Sequence, residues 1–106
     1  MYFPKLEDIK TAVANLKNVA AVTPLMENFN ASKEHNAKVF LKREDLQQVR
    51  SYKIRGAFNK INSLSDEQLS RGVVCASAGN HAQGVAYSCK KKEVNGVIFM
   101  PTPTPQ

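Results

Sequence analysis

The apolar positions of the chain follow two periods. Leu6, Ile9, Val13 and Leu16 stand 3, 4 and 3 residues apart, which is one stripe of a helix. Ile54, Ala57, Phe58, Ile61 and Leu64 keep the same spacing and mark the buried face of another helix, with Ser51 as its N-cap. A short helical stretch is expected over 26–33, after the loop that ends at Pro24. Runs of β-formers predict strands around 38–42, in "GVVCA" at 72–76 and in "NGVIFM" at 95–100. Between them, Ser65 and Gln68 have capping-box spacing for a short helix, and "NHAQGVAYSCKKK" at 80–92 reads as a long one. Strand, helix, strand, helix, strand is the rhythm of a parallel α/β sheet.

Composition narrows the function without deciding it. A chain of 106 residues suffices for one small domain, and 42% hydrophobic with 23% charged residues is ordinary for a globular protein. No apolar run reaches the roughly 18 residues of a membrane span. The start, "MYFPKLEDIK", lacks the basic and apolar segments of a signal peptide, so the cytoplasm is the expected compartment. Cys75 and Cys89 lie fourteen apart with no His or Cys to complete a metal set, and read as buried thiols. The net charge of +6 raises nucleic acid as a partner. The densest basic run, Lys90-Lys91-Lys92, falls where a helix should end, and cations there complement the helix dipole. "RGAFNKI" lacks the aromatic alternation that stacks bases. Neither nucleic acid nor membrane is therefore expected as a partner.

Two stretches carry chemistry. In "VRSYKIRGAFNKI" (49–61), Lys53 would be the second helical residue, with Arg50 and Arg55 close by. A helix start bears about half a positive charge, so an ammonium group there is unfavourable unless the amine is used neutral, as a nucleophile. The bland alternative is a solvated lysine. The other stretch, "ASAGNHAQG" (76–84), lies just after a strand and opens a helix, where parallel sheets place ligands. Its small residues admit a ligand to the backbone, and free helix-start N–H groups suit a carboxylate or phosphate. The alternative is a tight turn with Ser77 or Asn80 as N-cap. It is not a nucleophile elbow, because Cys75 stands where glycine is required, and the glycine spacings of a dinucleotide or P-loop motif are absent. His81 has no identifiable acidic partner and reads on its own as a packed or turn-stabilising residue.

Taken together, "SYKIRGA" at 51–57 and "SAGNHAQG" at 77–84 closely resemble the signature of the fold-type II pyridoxal-phosphate enzymes (tryptophan synthase beta-like). "FLKREDLQQVRSYKIRGAFNKI" followed by "ASAGNHAQGVAYSC" is most similar to the biosynthetic threonine dehydratases (threonine ammonia-lyases), the branch that feeds isoleucine synthesis. The resemblance implies that Lys53 bonds covalently to the aldehyde of pyridoxal 5'-phosphate and then removes the substrate α-proton. It implies that Asn80 hydrogen-bonds the cofactor's phenolic oxygen and that Tyr52 lies against its ring. Ser77, Ala78, Gly79 and His81 would form the loop that holds the substrate carboxylate. The reaction implied is loss of water and ammonia from L-threonine, giving 2-oxobutanoate, or from L-serine, giving pyruvate.

The match has limits. Such enzymes hold the cofactor phosphate in a glycine-rich loop, and the five glycines here, at 56, 72, 79, 84 and 96, include no adjacent pair. Residues 1–106 therefore read as the truncated N-terminal part of a catalytic domain, a homo-oligomer when full length and inactive alone. A serine dehydratase or racemase of the same family, or a non-catalytic α/β binding module, are the alternative readings.

Overall fold

The computed structural model describes residues 3–104. Its helices and strands, in chain order, are α1 (Leu6–Asn15), β1 (Leu25–Glu27), α2 (Phe29–Glu34), β2 (Phe40–Lys42), α3 (Lys53–Asn62), α4 (Asp66–Ser70), β3 (Val73–Ala76), α5 (Asn80–Lys92) and β4 (Gly96–Phe99); a single 3-10 turn spans Glu44–Leu46.

The C-terminal part is the parallel unit that the rhythm predicts. Strands β3 and β4 pair in parallel, Val73 opposite Gly96 and Cys75 opposite Ile98, with α5 as the crossover between them. A parallel pair needs such a crossover, because its strands cannot be joined by a tight turn. One sheet face, carrying Val73 and Cys75, lies against Ala57, Ile61, Val85 and Cys89, the core shared by α3 and α5. Helix α3 buries Ile54, Ala57, Phe58 and Ile61, the expected stripe, while Leu64 lies just past its end and is half-buried. The Ser65–Gln68 capping box forms as its spacing requires, each side chain accepting the other's backbone N–H. Gly72, at φ +83°, turns α4 into β3 with the carbonyl of Asn95 3.0 Å from where a Cβ would stand, so only glycine fits without strain.

The N-terminal part departs from expectation twice. Residues 25–27 form a strand before the helix at 29–34, and β2 pairs antiparallel with that strand rather than joining β3 and β4. The described strands therefore make two two-stranded sheets, not one sheet of three. The antiparallel pair is a local solution. Asn28 N–H donates to the Val39 carbonyl (2.8 Å) and Arg43 N–H to that of Pro24 (3.0 Å), extending the ladder beyond both ends of a three-residue strand. On α1, Leu16 just past its end is buried, but Leu6, Ile9 and Val13 are 64%, 56% and 68% exposed, so the stripe is real and its cover is not within residues 3–104. Among the described residues no helix is long and apolar enough to cross a membrane.

Candidate active site

The segment that delivers Lys53 is fixed by burial at every second residue: Gln47, Val49 and Ser51 are buried, with Arg50 between them in the left-handed region at φ 57°. That turn brings the chain into α3 one residue later than predicted. Lys53 is the first helical residue, Tyr52 occupies the N-cap position without a capping hydrogen bond, and the buried Ser51 hydroxyl accepts the Lys53 N–H at 3.4 Å.

Arg55 does not join a cationic cluster. Its guanidinium donates twice to Glu44, Nε to Oε2 at 2.7 Å and a terminal nitrogen to Oε1 at 2.8 Å, a fork that matches a carboxylate. Glu44 also accepts from the Thr23 hydroxyl (2.5 Å) and, more weakly, from the Gln47 amide. These donors, Arg55 foremost, hold its carboxyl down to about 2 against the partial burial that opposes them. Gln47 in turn pairs with both backbone groups of Ala21, at 2.9 Å each. Sequence reading missed this network. Its members lie up to 34 residues apart, and no local periodicity links them.

Helix α5 approaches α3 at Gly84. A Cβ on Gly84 would stand 3.1 Å from the carbonyl carbon and oxygen of Lys53 and 3.3 Å from the Ile54 nitrogen. The missing side chain lets the two backbones touch and carries the start of α5 beside the lysine. At that junction Tyr52, Lys53, Gly56, Ala57 and His81 line a cleft of about 260 Å³. The Lys53 ammonium lies 5.2 Å from the centre of the Tyr52 ring, within cation–π range.

Of the predicted site residues, the structure brings Tyr52, Lys53 and His81 to this cleft. Ser77, Ala78 and Gly79 form the turn from β3 into α5 and Asn80 opens the helix just before His81; none of the four is among the cleft's lining residues. The Ser77 hydroxyl accepts from the N–H groups of Gly79 (3.3 Å) and Ala82 (3.2 Å), so it shapes the helix start much as a cap does. The N–H groups of Ala78, Asn80 and His81 and the Asn80 side-chain amide have no hydrogen-bond partner among the described residues. An accessible primary amine beside unspent helix-start donors is a donor set suited to an aldehyde that also carries anionic groups.

The family model of the pyridoxal-phosphate dependent enzymes matches residues 16–106. The chain belongs to that family. It is 57% identical over 102 residues to a protein of Halalkalibacterium halodurans named L-threonine dehydratase biosynthetic IlvA, covering 96% of this chain and 25% of that one. A Staphylococcus aureus protein of the same name is 57% identical over 99 residues, covering 93% of this chain and 24% of its own. Among solved structures, maize serine racemase superposes with a TM-score of 0.90 at 36% identity, over 98% of this chain and 32% of that one. Threonine deaminase isoform 2 of Solanum lycopersicum superposes at 0.78 with 38% identity, over 97% of this chain and 32% of that one. The fold is thus that of the fold-type II pyridoxal-phosphate enzymes, and the chain spans about a quarter of the length of the curated relatives it matches.

Proposed function

We propose that this chain supplies the lysine-bearing part of a pyridoxal-phosphate-dependent ammonia-lyase that converts L-threonine to 2-oxobutanoate and ammonia. The observation that carries the reading is the cleft where Lys53 meets the start of α5 across Gly84. When bound, pyridoxal phosphate would supply an electron sink for the charge left at the substrate Cα, so that the hydroxyl on the adjacent Cβ can leave as water.

The chain's own residues would act as follows. Lys53 Nζ would hold the cofactor covalently and, when free, would take up the substrate α-proton at the same nitrogen. The Tyr52 ring, 5.2 Å from that nitrogen, lines the cleft and would lie against the cofactor ring. The Asn80 amide would donate to the cofactor's phenolic oxygen. The backbone donors of Ala78, Asn80 and His81, at the positive end of α5, receive the substrate carboxylate, with Ser77 and Gly79 shaping the turn that presents them.

Threonine as substrate, a place in isoleucine synthesis, a cytoplasmic setting and assembly into a homo-oligomer belong to this proposal, and the named relatives at 57% identity support the first two. The likeness to serine racemase supports a second reading in which L-serine is the substrate. A chimera decides between them: residues 1–106 replace the matching quarter of the Halalkalibacterium halodurans relative. Release of 2-oxobutanoate from L-threonine, abolished by Lys53→Ala, is the expected result. Conversion of L-serine alone, to pyruvate or D-serine, would favour the second reading, and turnover that survives Lys53→Ala would overturn both.

A further inference from the structure

The first turn of α3 is packed through buried Ile54 but lacks the usual polar cap. Helix starts leave their first N–H groups unpaired and tend to fray unless capped. Tyr52 offers no side-chain cap, and among the described residues the only side-chain acceptor at the start is Ser51 Oγ at a long 3.4 Å. Lys53, the first residue of this turn, must nonetheless meet its partners within a narrow range of positions to react. Gly84 sets a steric limit on one side but makes no bond to it. The polar anchor lies two residues further on, at Arg55.

We infer that Glu44, outside the cleft, is a positioning residue for Lys53: its forked pair with Arg55 locks the first turn of α3 to the 21–23 segment. The inference rests on the reading above, that Lys53 receives pyridoxal phosphate. Packing of Ile54 and of the Lys53 backbone against α5 limits the turn on one side only, whereas two parallel N–H···O bonds fix both the direction and the roll of the guanidinium on the other. Glu44 is itself held, because Thr23 donates to the same carboxylate and the fully buried Gln47 ties the 3-10 turn to both backbone groups of Ala21. Arg55 closes the circuit with a third hydrogen bond, donated to the Ala21 carbonyl at 3.2 Å. The result is a rigid path from the loop before β1 to the turn that carries the amine.

The test compares two lysines on one helix. The chimera carrying wild-type residues 1–106 and its Glu44→Gln variant are exposed to limiting pyridoxal phosphate, trapped with borohydride and mapped by mass spectrometry at Lys53 and at the exposed Lys60, with thermal unfolding followed in parallel. The wild type should label Lys53 in preference to Lys60. Glu44→Gln, assayed well below its unfolding midpoint, should lose that preference by on the order of tenfold, since small misplacements cost such factors. An unchanged ratio in Glu44→Gln, with or without a lowered midpoint, would mean the network is merely structural and would overturn the inference alone. No preference in the wild type would overturn both the inference and the functional reading. Should Glu44→Gln not fold, Arg55→Lys, which keeps the charge and loses the fork, gives the same ratio and the same decision.

Discussion

The backbone of Lys53 rests on Gly84: its carbonyl carbon and oxygen lie 3.1 Å from the position a Cβ there would take. The neighbours are main-chain atoms, and Ile54 beside them is fully buried, so neither helix has room to yield. In an open helix, replacing glycine by alanine gains about 0.5–1 kcal/mol, but forcing a methyl group into packed backbone costs about 1–3 kcal/mol. Gly84→Ala should therefore lower stability by about 1 kcal/mol and reduce pyridoxal phosphate capture at Lys53. Gly56 provides the contrast, with nothing within 4 Å of its would-be Cβ. Gly56→Ala should raise the unfolding midpoint, and two substitutions of opposite sign on packed helices are read directly by thermal denaturation. A stabilised Gly84→Ala would show that the helices can part.

The lysine itself gives the sharpest chemical prediction. In the chimera, Lys53→Ala should remove both the visible absorbance of lysine-bound cofactor and the ammonia-lyase activity, the latter by orders of magnitude, because a covalent nucleophile is lost rather than a contact weakened. The fold should be spared, since the Lys53 side chain is part-exposed and its amine makes no hydrogen bond among the described residues. Retention of the absorbance would identify another amine as the carrier.

Acid should release the Glu44 network. Its carboxyl is held at about 2 in the fold against an ordinary value of 4.5, so the pair stabilises fully above the ordinary value and fades as the pH falls from there toward the lower one. Arg55 is about a third open to solvent, which screens the pair, and the contribution expected is about 1–3 kcal/mol. The urea midpoint of the wild type should exceed that of Glu44→Gln at neutral pH, and the gap should close as the pH falls below 4.5. A gap that stays constant through this range would mean that the charge of Glu44 contributes nothing.

What the sequence disclosed and what it concealed divide by distance along the chain. The α3 stripe, the Ser65 capping box and the span of α5 depend on residues three or four apart, and all three appear where the pattern puts them. The pairing of β2 with β1 was not legible, because "LME" at 25–27 is too short to show a period. At the site, Tyr52, Lys53 and His81 line one cleft, while Ser77, Ala78, Gly79 and Asn80 do not line it. The closeness of Gly84 to Lys53 and the grip of Glu44 on Arg55 were hidden, because each depends on how separate elements pack. A lone carboxylate after a strand and a glycine within a helix are both commonplace in sequence. Only contact gives them a role.

The outer face of the β3–β4 sheet leads to a prediction about solution behaviour. Side chains alternate across a strand, so while Val73, Cys75 and Ile98 turn toward the core side, Val74, Val97 and Phe99 turn away and are 67%, 52% and 63% exposed. Val74 stands directly opposite Val97, and Phe99 opposite Ala76, so these side chains form one contiguous apolar surface rather than scattered residues. Patches of this kind on an isolated domain drive association, and a two-stranded sheet also offers unpaired edges to a neighbour. Residues 1–106 should therefore self-associate with rising concentration in sedimentation experiments and should bind an apolar dye. Paired substitution of Val74→Thr and Val97→Thr keeps the β-branched shape that suits a strand while adding hydroxyls to the exposed face alone. The double variant should remain folded, as judged by circular dichroism, and shift markedly toward monomer. Unchanged association would rule this sheet face out as the contact and direct attention to the exposed stripe of α1 at Leu6, Ile9 and Val13.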